Sequence, residues 1–236
     1  MISKDMLENV EIRRSTRAKH LHIKVTAYGQ VIVVIPKRVK KFNIESILNS
    51  HKNWIDTRLN KVASIRQDNP SFDELLPEKI ELKLTTEHFV LHYDLKSDRD
   101  SLREKGDALY VTATNDLVVG KMLKKWLQVK ARQQLPYLLR QMADQTSLRY
   151  NNVTIRGQKT RWGSCSAAAN INLNRNLLFL PEPLVRHLML HELCHTRHLN
   201  HSAEYWKFVE SFEPNYKTYE KKLSGAYVNV PRWAIV

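Results

Sequence analysis

Apolar residues alternate with polar ones, or form short continuous runs, along much of the first half of the chain. Residues 21–25 alternate, residues 31–35 are all apolar, and Tyr28-Gly29 lies between them, which is typical of a β-hairpin. Three further segments alternate in the same way and predict strands: residues 80–84, 89–93 and 109–111. The charged segment of residues 96–106 is predicted to be a loop.

A helical spacing of apolar residues replaces this alternation elsewhere in the chain. Four segments show it: residues 42–65, 118–147, 184–195 and 203–223. The first is expected to cover the N-terminal strands, and Pro136 is expected to kink or divide the second. Short strands are predicted near residues 153–155 and 171–173. The pattern therefore predicts an α+β fold, in which a β-rich region of residues 1–115 precedes a more helical region of residues 116–236.

Positive charge is the main compositional feature. The 236 residues include 38 Lys and Arg against 24 Asp and Glu, which gives a net charge of +14. Such an excess favours anionic partners, namely nucleic acid, nucleotides or acidic protein surfaces, although a solvated basic surface would give the same count. Three clusters contribute to it: Arg13, Arg14, Arg17 and Lys19; Lys37, Arg38, Lys40 and Lys41; and Lys121, Lys124, Lys125, Lys130 and Arg132.

No apolar stretch approaches the roughly 20 residues that a membrane span requires, and residues 1–8 lack the apolar run of a secretory signal. We therefore expect a cytoplasmic protein with no membrane partner. The two cysteines, Cys165 and Cys194, form no paired-cysteine zinc motif and are expected to stay reduced.

The chemistry of the chain is concentrated in His191-Glu192-Leu193-Cys194-His195. On a helix, the two histidines leave the same face about 6 Å apart along the axis, so that one zinc ion can accept both imidazoles. Glu192 projects about 100° away, where it cannot ligate the same ion but can reach a water molecule at the open coordination position. The alternative is a pair of packed histidines and a surface glutamate on an amphipathic helix.

A third ligand must come from beyond this turn, and His198 and His201 are the candidates. On a continuous helix, His198 would lie about 10 Å along the axis from His191, too far for bonds of about 2.0–2.1 Å to one ion. Asn200 can adopt the left-handed conformation that ends a helix, and Ser202 is a suitable N-cap for the next one. A turn there would return His201 to the pair, so His201 is the preferred ligand.

The segment Arg161-Trp162-Gly163-Ser164 is a candidate substrate-binding edge strand. Gly163 would permit close approach of a substrate backbone, and an edge strand could pair with an extended peptide. Arg161 could stabilise an oxyanion, bind phosphate or form a surface ion pair, whereas Trp162 is more typical of packing.

With these residues in place, the chain resembles the YgjP-like family of zinc metallohydrolases, which is itself similar to the SprT and WLM zinc proteases. The resemblance rests on segments in the same order, and they are Arg13-Arg14-Ser15, Arg17, Lys19, residues 21–25 and 31–36, Arg161 to Ser166, Ile171 to Asn174, His191 to Ser202, and Tyr205-Trp206. The segment of residues 167–170 departs from the family, which often has a glycine-containing turn there.

The resemblance implies zinc ligands at His191, His195 and His201, with Glu192 as catalytic acid/base. It also implies a compact zincin-like C-terminal half, in which the helix of the motif packs on a small sheet. Three functions follow as hypotheses. The first is a zinc metallopeptidase acting on peptides or proteins, the second a metal-dependent nucleoside triphosphate pyrophosphatase, and the third a DNA-associated protease or nucleic-acid-docking protein.

Overall fold

The computed structural model describes residues 10–26, 29–67 and 74–235. The chain divides into two compact units, Met1–Asp73 and Glu74–Val236. Both combine strands with helices, so the predicted α+β class is confirmed. The boundary between the units lies at residues 73 and 74, whereas the sequence pattern changes near residue 115. The two positions differ because the strands between residues 79 and 112 share a hydrophobic core with the helix that follows them.

The described part of the first unit is a small sheet with two helices. Its strands are Val10–Ser15 (β1), His22–Val25 (β2) and Val31–Pro36 (β3), in the order β1-β3-β2. The apolar β3 lies in the middle, antiparallel to β2 and parallel to β1. Consecutive residues of β3, which point to opposite faces of the sheet, are buried, and this explains why the strand is apolar on both faces. The predicted hairpin is thus confirmed, although Tyr28 of its turn lies outside the described residues.

The helix predicted over residues 42–65 is present as two helices, Ile44–Ser50 (α1) and Lys52–Gln67 (α2). The Asn43 side chain caps the N-terminus of α1. The helix is interrupted at His51, whose backbone N–H donates a hydrogen bond to carbonyls in the last turn of α1. Leu48 and Ile55 pack with the apolar residues of β3, so these helices cover the sheet as expected.

The second unit begins with a sheet in the order β4-β5-β7-β6. Its strands are Lys79–Leu82 (β4), Glu87–Asp94 (β5), Ser101–Lys105 (β6) and Ala108–Thr112 (β7). The prediction of a loop over residues 96–106 is wrong, since it contains β6. This strand lies at the edge of the sheet and exposes Arg103, Glu104 and Lys105, so it carries no apolar alternation that could reveal it.

A single helix, Asp116–Thr146 (α3), packs against this sheet. Pro136 lies within it and does not divide it, contrary to one of the two outcomes expected for this residue. Leu135 and Leu139, on either side of the proline, are fully buried and hold both parts of the helix on one core.

The C-terminal part carries a second small sheet, formed by Asn152–Arg156 (β8), Gly163–Cys165 (β9) and Asn170–Asn174 (β10), in the order β8-β10-β9. Four helices follow: Glu182–Cys194 (α4), Ala203–Phe212 (α5), Tyr216–Gly225 (α6) and Arg232–Ile235 (α7), with 3-10 turns at Arg175–Phe179 and Ala226–Asn229. The periodic segment 203–223 is thus two helices, interrupted where Glu213 caps the first. Strand β9 packs against α4, so the motif helix lies on the small sheet as predicted.

Candidate metal centre

Helix α4 carries the histidine motif in its last turn. Pro181 is its N-cap and Pro183 lies in its first turn, where a missing backbone N–H is tolerated. The buried residues Val185 and Met189 fix the helix on the core, with no exposed surface. The regular helix ends at Cys194, and His195 is its C-cap.

The chain then returns toward the helix end over residues 196–202. The Ser202 side chain accepts a hydrogen bond from the Tyr205 N–H and caps α5, as predicted. The prediction of a left-handed backbone at Asn200 is wrong. Within the described ranges, the non-glycine residues with positive φ are Thr86, Ser147 and Ala169. Instead, the Asn200 Oδ1 accepts the Ser202 N–H, and this side-chain hydrogen bond shapes the turn.

Three imidazoles meet at the end of this turn. The His201 Nε2 lies 3.1 Å from the Nε2 of His195 and 3.1 Å from the Nε2 of His191. Nitrogen ligands at about 2.0–2.1 Å in tetrahedral geometry would be about 3.3–3.4 Å apart. The three groups therefore fit a single metal ion, and they form a candidate metal-binding set.

His198, the competing candidate, contributes its backbone to this site. Its carbonyl accepts a hydrogen bond from the His195 Nδ1 at 2.9 Å, while its side chain packs against Phe208 at 5.3 Å between ring centroids. Because Nδ1 of His195 donates to a carbonyl, the lone pair of that ring is on Nε2, which faces the other two histidines.

The His191 ring is oriented by a residue that the sequence reasoning missed. Its Nδ1 lies 2.9 Å from Oε1 of Glu220, on α6. Although burial acts to raise the pKa of Glu220, hydrogen bonds from His187 and His191 lower it to about 2. Glu220 is 29 residues from His191, and no local motif marks it.

Burial also favours the neutral form of two of the three imidazoles. It is the main cause of a lowered pKa at both His195 and His201, with a further contribution from the neighbouring His191. A neutral imidazole keeps the lone pair that a metal ion needs.

Glu192 lies beside the histidines in a nearly closed environment. It is 4% exposed, and its Oε2 is a buried atom without a hydrogen-bond partner among the described residues. Burial raises the pKa of Glu192 to about 7, with Glu220 adding to the shift while His191 and Arg161 oppose it. This carboxyl group is therefore suited to take up and release a proton near neutral pH.

Gly163 gives this carboxylate its space. A Cβ atom on Gly163 would lie 2.5 Å from Oε1 of Glu192, and 2.9 Å from its Cγ and Cδ. The absence of a side chain at Gly163 thus leaves room for the Glu192 carboxylate in its present position.

The residues on either side of Gly163 have different surroundings. Trp162 is buried, stacks on Tyr227 at 4.1 Å between centroids, and donates to the Leu223 carbonyl. Ser164 accepts a hydrogen bond from Asn172 across the sheet. Arg161 is exposed, and its charge lowers the pKa of Glu192.

Asn174, at the end of β10, holds this segment in place. It is fully buried, and its Nδ2 donates to the carbonyls of Gln158 and Arg161, at 2.6 Å and 2.9 Å, and to the Tyr227 hydroxyl at 3.2 Å. Its Oδ1 accepts the Asn176 N–H. One side chain therefore fixes the backbone that leads into β9.

Two aromatic residues of α5 support the histidines. Tyr205 has no exposed surface, stacks on His195 at 4.5 Å between centroids, and donates its hydroxyl to the His191 carbonyl. Trp206 stacks on His201 at 5.4 Å. These contacts limit the orientations that the two imidazoles can adopt.

The cysteines lie near the site as unreactive thiols. Burial raises the pKa of Cys165 to about 11, with a contribution from Glu192, and raises that of Cys194 to about 12. Neither belongs to the candidate metal-binding set found among the described residues.

The lysines of the third basic cluster have different electrostatic surroundings. Lys130 is paired with Glu87 at 2.9 Å and with Glu104 at 2.7 Å. Lys124 faces Lys121 and other cations, whose charges add to burial in lowering its pKa. The helix thus distributes these residues between separate surroundings.

The part of the chain that the structure describes contains no helix with the length and apolarity to cross a membrane.

Comparisons with known proteins place this site in a family. No curated protein matches the chain. The solved structures that resemble part of it include two metallopeptidase zymogens. The crystal structure of the metallopeptidase zymogen of Pyrococcus abyssi abylysin is 25% identical, with a TM-score of 0.36, and covers 39% of this chain and 94% of that chain. The metallopeptidase zymogen of Methanocaldococcus jannaschii jannalysin is 18% identical, with a TM-score of 0.35, and covers 39% and 96%.

The family itself is identified by a sequence profile described as "YgjP-like, metallopeptidase domain", which matches residues 19–226. This match includes the three histidines, Glu192 and the segment around Gly163. Because it spans most of the 236 residues, the chain belongs to the YgjP-like metallopeptidase-domain family and is a metal-dependent hydrolase.

Proposed function

We propose that the protein is a zinc-dependent metallopeptidase in which His191, His195 and His201 hold the metal and Glu192 is the catalytic acid/base. The observation that carries this proposal is the pairing of three converging Nε2 atoms with a buried carboxylate whose Oε2 has no partner among the described residues. The unpartnered Oε2 does not stabilise the fold by itself, since a buried polar group without a partner is destabilising.

The donor set supports zinc as the metal. Three neutral imidazoles are a common catalytic zinc set, and they leave one coordination position for water or substrate. A zinc ion held there would lower the pKa of water and polarise a substrate carbonyl.

The chain's own contribution to the reaction is proton transfer by Glu192. Its Oε2 would accept a proton from the attacking water molecule and deliver it to the leaving nitrogen of the peptide bond. Burial supports this role, because a group whose pKa is near 7 can be both a base and an acid at neutral pH.

Strand β9 is the proposed substrate-binding edge. In the order β8-β10-β9 it has a sheet partner on one side, so an extended peptide could pair with its other side. Gly163 and Ser164 would provide the backbone for this pairing, next to Glu192. Arg161, which is exposed and precedes the strand, could stabilise the charge that develops on the substrate oxygen.

The nucleotide and nucleic-acid hypotheses receive no comparable support. The matched family is a metallopeptidase domain, and Lys130 of the third basic cluster is already neutralised by two glutamates. We therefore do not propose either function.

The proposal is tested by Glu192→Gln, with Glu210→Gln as a control at an exposed carboxylate of α5. Protein purified without added metal should contain one zinc ion per chain in all three forms. A screen against peptides, proteins and nucleotides should find peptide-bond hydrolysis that falls about 10²- to 10⁴-fold in Glu192→Gln and is unchanged in Glu210→Gln.

Two results would contradict the proposal. One is wild-type protein that contains no zinc and takes up none. The other is peptide hydrolysis that is as fast in Glu192→Gln as in the wild type.

A further inference from the structure

Glu220 contacts two histidines of α4 through one oxygen atom. Its Oε1 lies 2.9 Å from the Nδ1 of His191 and 3.0 Å from the Nε2 of His187. His187 and His191 are four residues apart, so their side chains share one face of the helix. A carboxylate oxygen only accepts hydrogen bonds, and therefore both rings donate to it.

The His187 side chain is more deeply buried than the Glu220 side chain that it contacts. Its side chain is 1% exposed, whereas the Glu220 side chain is 33% exposed. The His187 ring also stacks on Tyr219 at 5.3 Å between centroids, with 24° between the planes. Packing and stacking together hold its Nε2–H in one direction.

Glu220 alone would not fix the orientation of the His191 imidazole. A partly exposed glutamate has several rotamers and can turn toward water, which would leave the His191 Nδ1 without its acceptor. The hydrogen bond from the buried His187 holds the carboxylate in the rotamer in which it also reaches His191.

We propose that His187 is a positioning residue of the metal centre, which acts through Glu220 to fix the orientation and tautomer of the His191 imidazole. This inference rests on the proposed function, in which His191 is a metal ligand. Residues behind metal ligands commonly affect metal affinity by about 10- to 100-fold, because they fix the ligand ring and its protonated nitrogen.

A purely structural role would be to fasten α6 onto α4. That role would change the stability of the zinc-free protein but would leave the affinity of the folded protein for zinc unchanged. Zinc affinity, measured on folded protein, therefore separates the two roles.

The experiment compares two substitutions of His187 in the full-length chain. His187→Phe keeps a ring that can stack on Tyr219 but removes the donor, whereas His187→Gln removes the ring but keeps an N–H donor near the Nε2 position. Glu220→Ala, the double variant His187→Phe/Glu220→Ala, and Glu210→Ala as an exposed control complete the set. Zinc affinity is measured by competition with a chromophoric chelator, and thermal unfolding of each zinc-free protein is measured in parallel.

We expect zinc binding to weaken about 10-fold in His187→Phe and about 10- to 100-fold in Glu220→Ala, and to remain near the wild-type value in His187→Gln and Glu210→Ala. Because His187 acts through Glu220, the double variant should bind zinc no more weakly than Glu220→Ala alone. Should His187→Phe not fold, His187→Asn, whose shorter side chain cannot reach Glu220, replaces it with the same expectation.

The inference is overturned if His187→Phe binds zinc as tightly as the wild type, or if its effect adds fully to that of Glu220→Ala. A wild-type protein that binds no zinc would instead contradict the proposed function, so the two failures are distinguishable.

Discussion

Glu192 is a carboxylate in an environment where few carboxylates are stable. It is 4% exposed, and Gly163 leaves only enough space for its oxygen atoms. The nearby Asn174 is fully buried too, but four hydrogen bonds use its donors and its acceptor. The contrast indicates that Asn174 has a structural role, whereas the Oε2 of Glu192 has no partner among the described residues and could bind water.

Gly163→Ala tests this fit at the residue scale. The added Cβ must displace the Glu192 side chain, and because the three nearest atoms it would meet all belong to that side chain and not to backbone, the fold should be retained. Displacement of the acid/base by about 1 Å should lower hydrolysis about 10- to 100-fold, with zinc content unchanged.

The control for this substitution is Gly120→Ala, in helix α3. A Cβ on Gly120 would meet no atom within 4 Å, and the change should stabilise the helix by about 0.5–1 kcal/mol without affecting hydrolysis. Zinc analysis, steady-state kinetics and denaturant unfolding provide the measurements. Full activity in Gly163→Ala would show that the position of Glu192 does not matter.

At the scale of elements, the turn between β9 and β10 contains a non-glycine residue with positive φ. Ala169 has a φ of 53°, a conformation that glycine adopts more readily than alanine. Hydrogen bonds between Ser166 and the Ala169 and Asn170 backbones hold the turn nonetheless. The turn that joins β9 to β10 therefore includes a strained residue.

Ala169→Gly should relieve this strain and increase the free energy of unfolding by about 0.5–1 kcal/mol, because the steric penalty removed exceeds the entropy that glycine adds to the unfolded chain. Ala168→Gly, at the neighbouring position without positive φ, should lower stability slightly. Urea unfolding monitored by circular dichroism measures both. Destabilisation of similar size in the two variants would contradict the explanation.

Sequence periodicity predicted most of these elements but not all of them. Strand β6 and the breaks between α1 and α2 and between α5 and α6 were missed, because edge strands and polar helix ends lack an apolar pattern. Pro136 does not divide its helix, because Leu135 and Leu139, which lie on either side of it, are fully buried and hold both parts of the helix on one core.

At the scale of the whole molecule, the proposed zinc site links the end of α4 to the segment before α5. A metal ion that binds the folded chain and not the unfolded one stabilises it by about 2.7 kcal/mol when its concentration is 100 times the dissociation constant. Removal of zinc should therefore lower the midpoint of thermal unfolding of the second unit, and added zinc should restore it.

His201→Ala should lose this dependence on zinc, and His198→Ala should keep it, since His198 contributes its carbonyl and not its side chain. Differential scanning calorimetry with and without a chelator makes the comparison. If the transition of the wild type is the same in both conditions, the site does not hold a metal in solution.

The sequence by itself identified the candidate ligands His191, His195 and His201, the proposed acid/base Glu192 and the edge-strand segment around Gly163. Their spacing is local, and local spacing fixes which side chains share a helical face. The position of His201 was anticipated from the need for a turn, although Asn200 makes that turn by a side-chain hydrogen bond and not by a left-handed backbone.

Only the tertiary structure decided what surrounds these residues. Glu220, His187, Tyr205 and Asn174 act on the site through contacts between elements that are distant in sequence, and no periodicity records such contacts. The raised pKa of Glu192 has the same origin, because burial is a property of the packed chain and not of the motif.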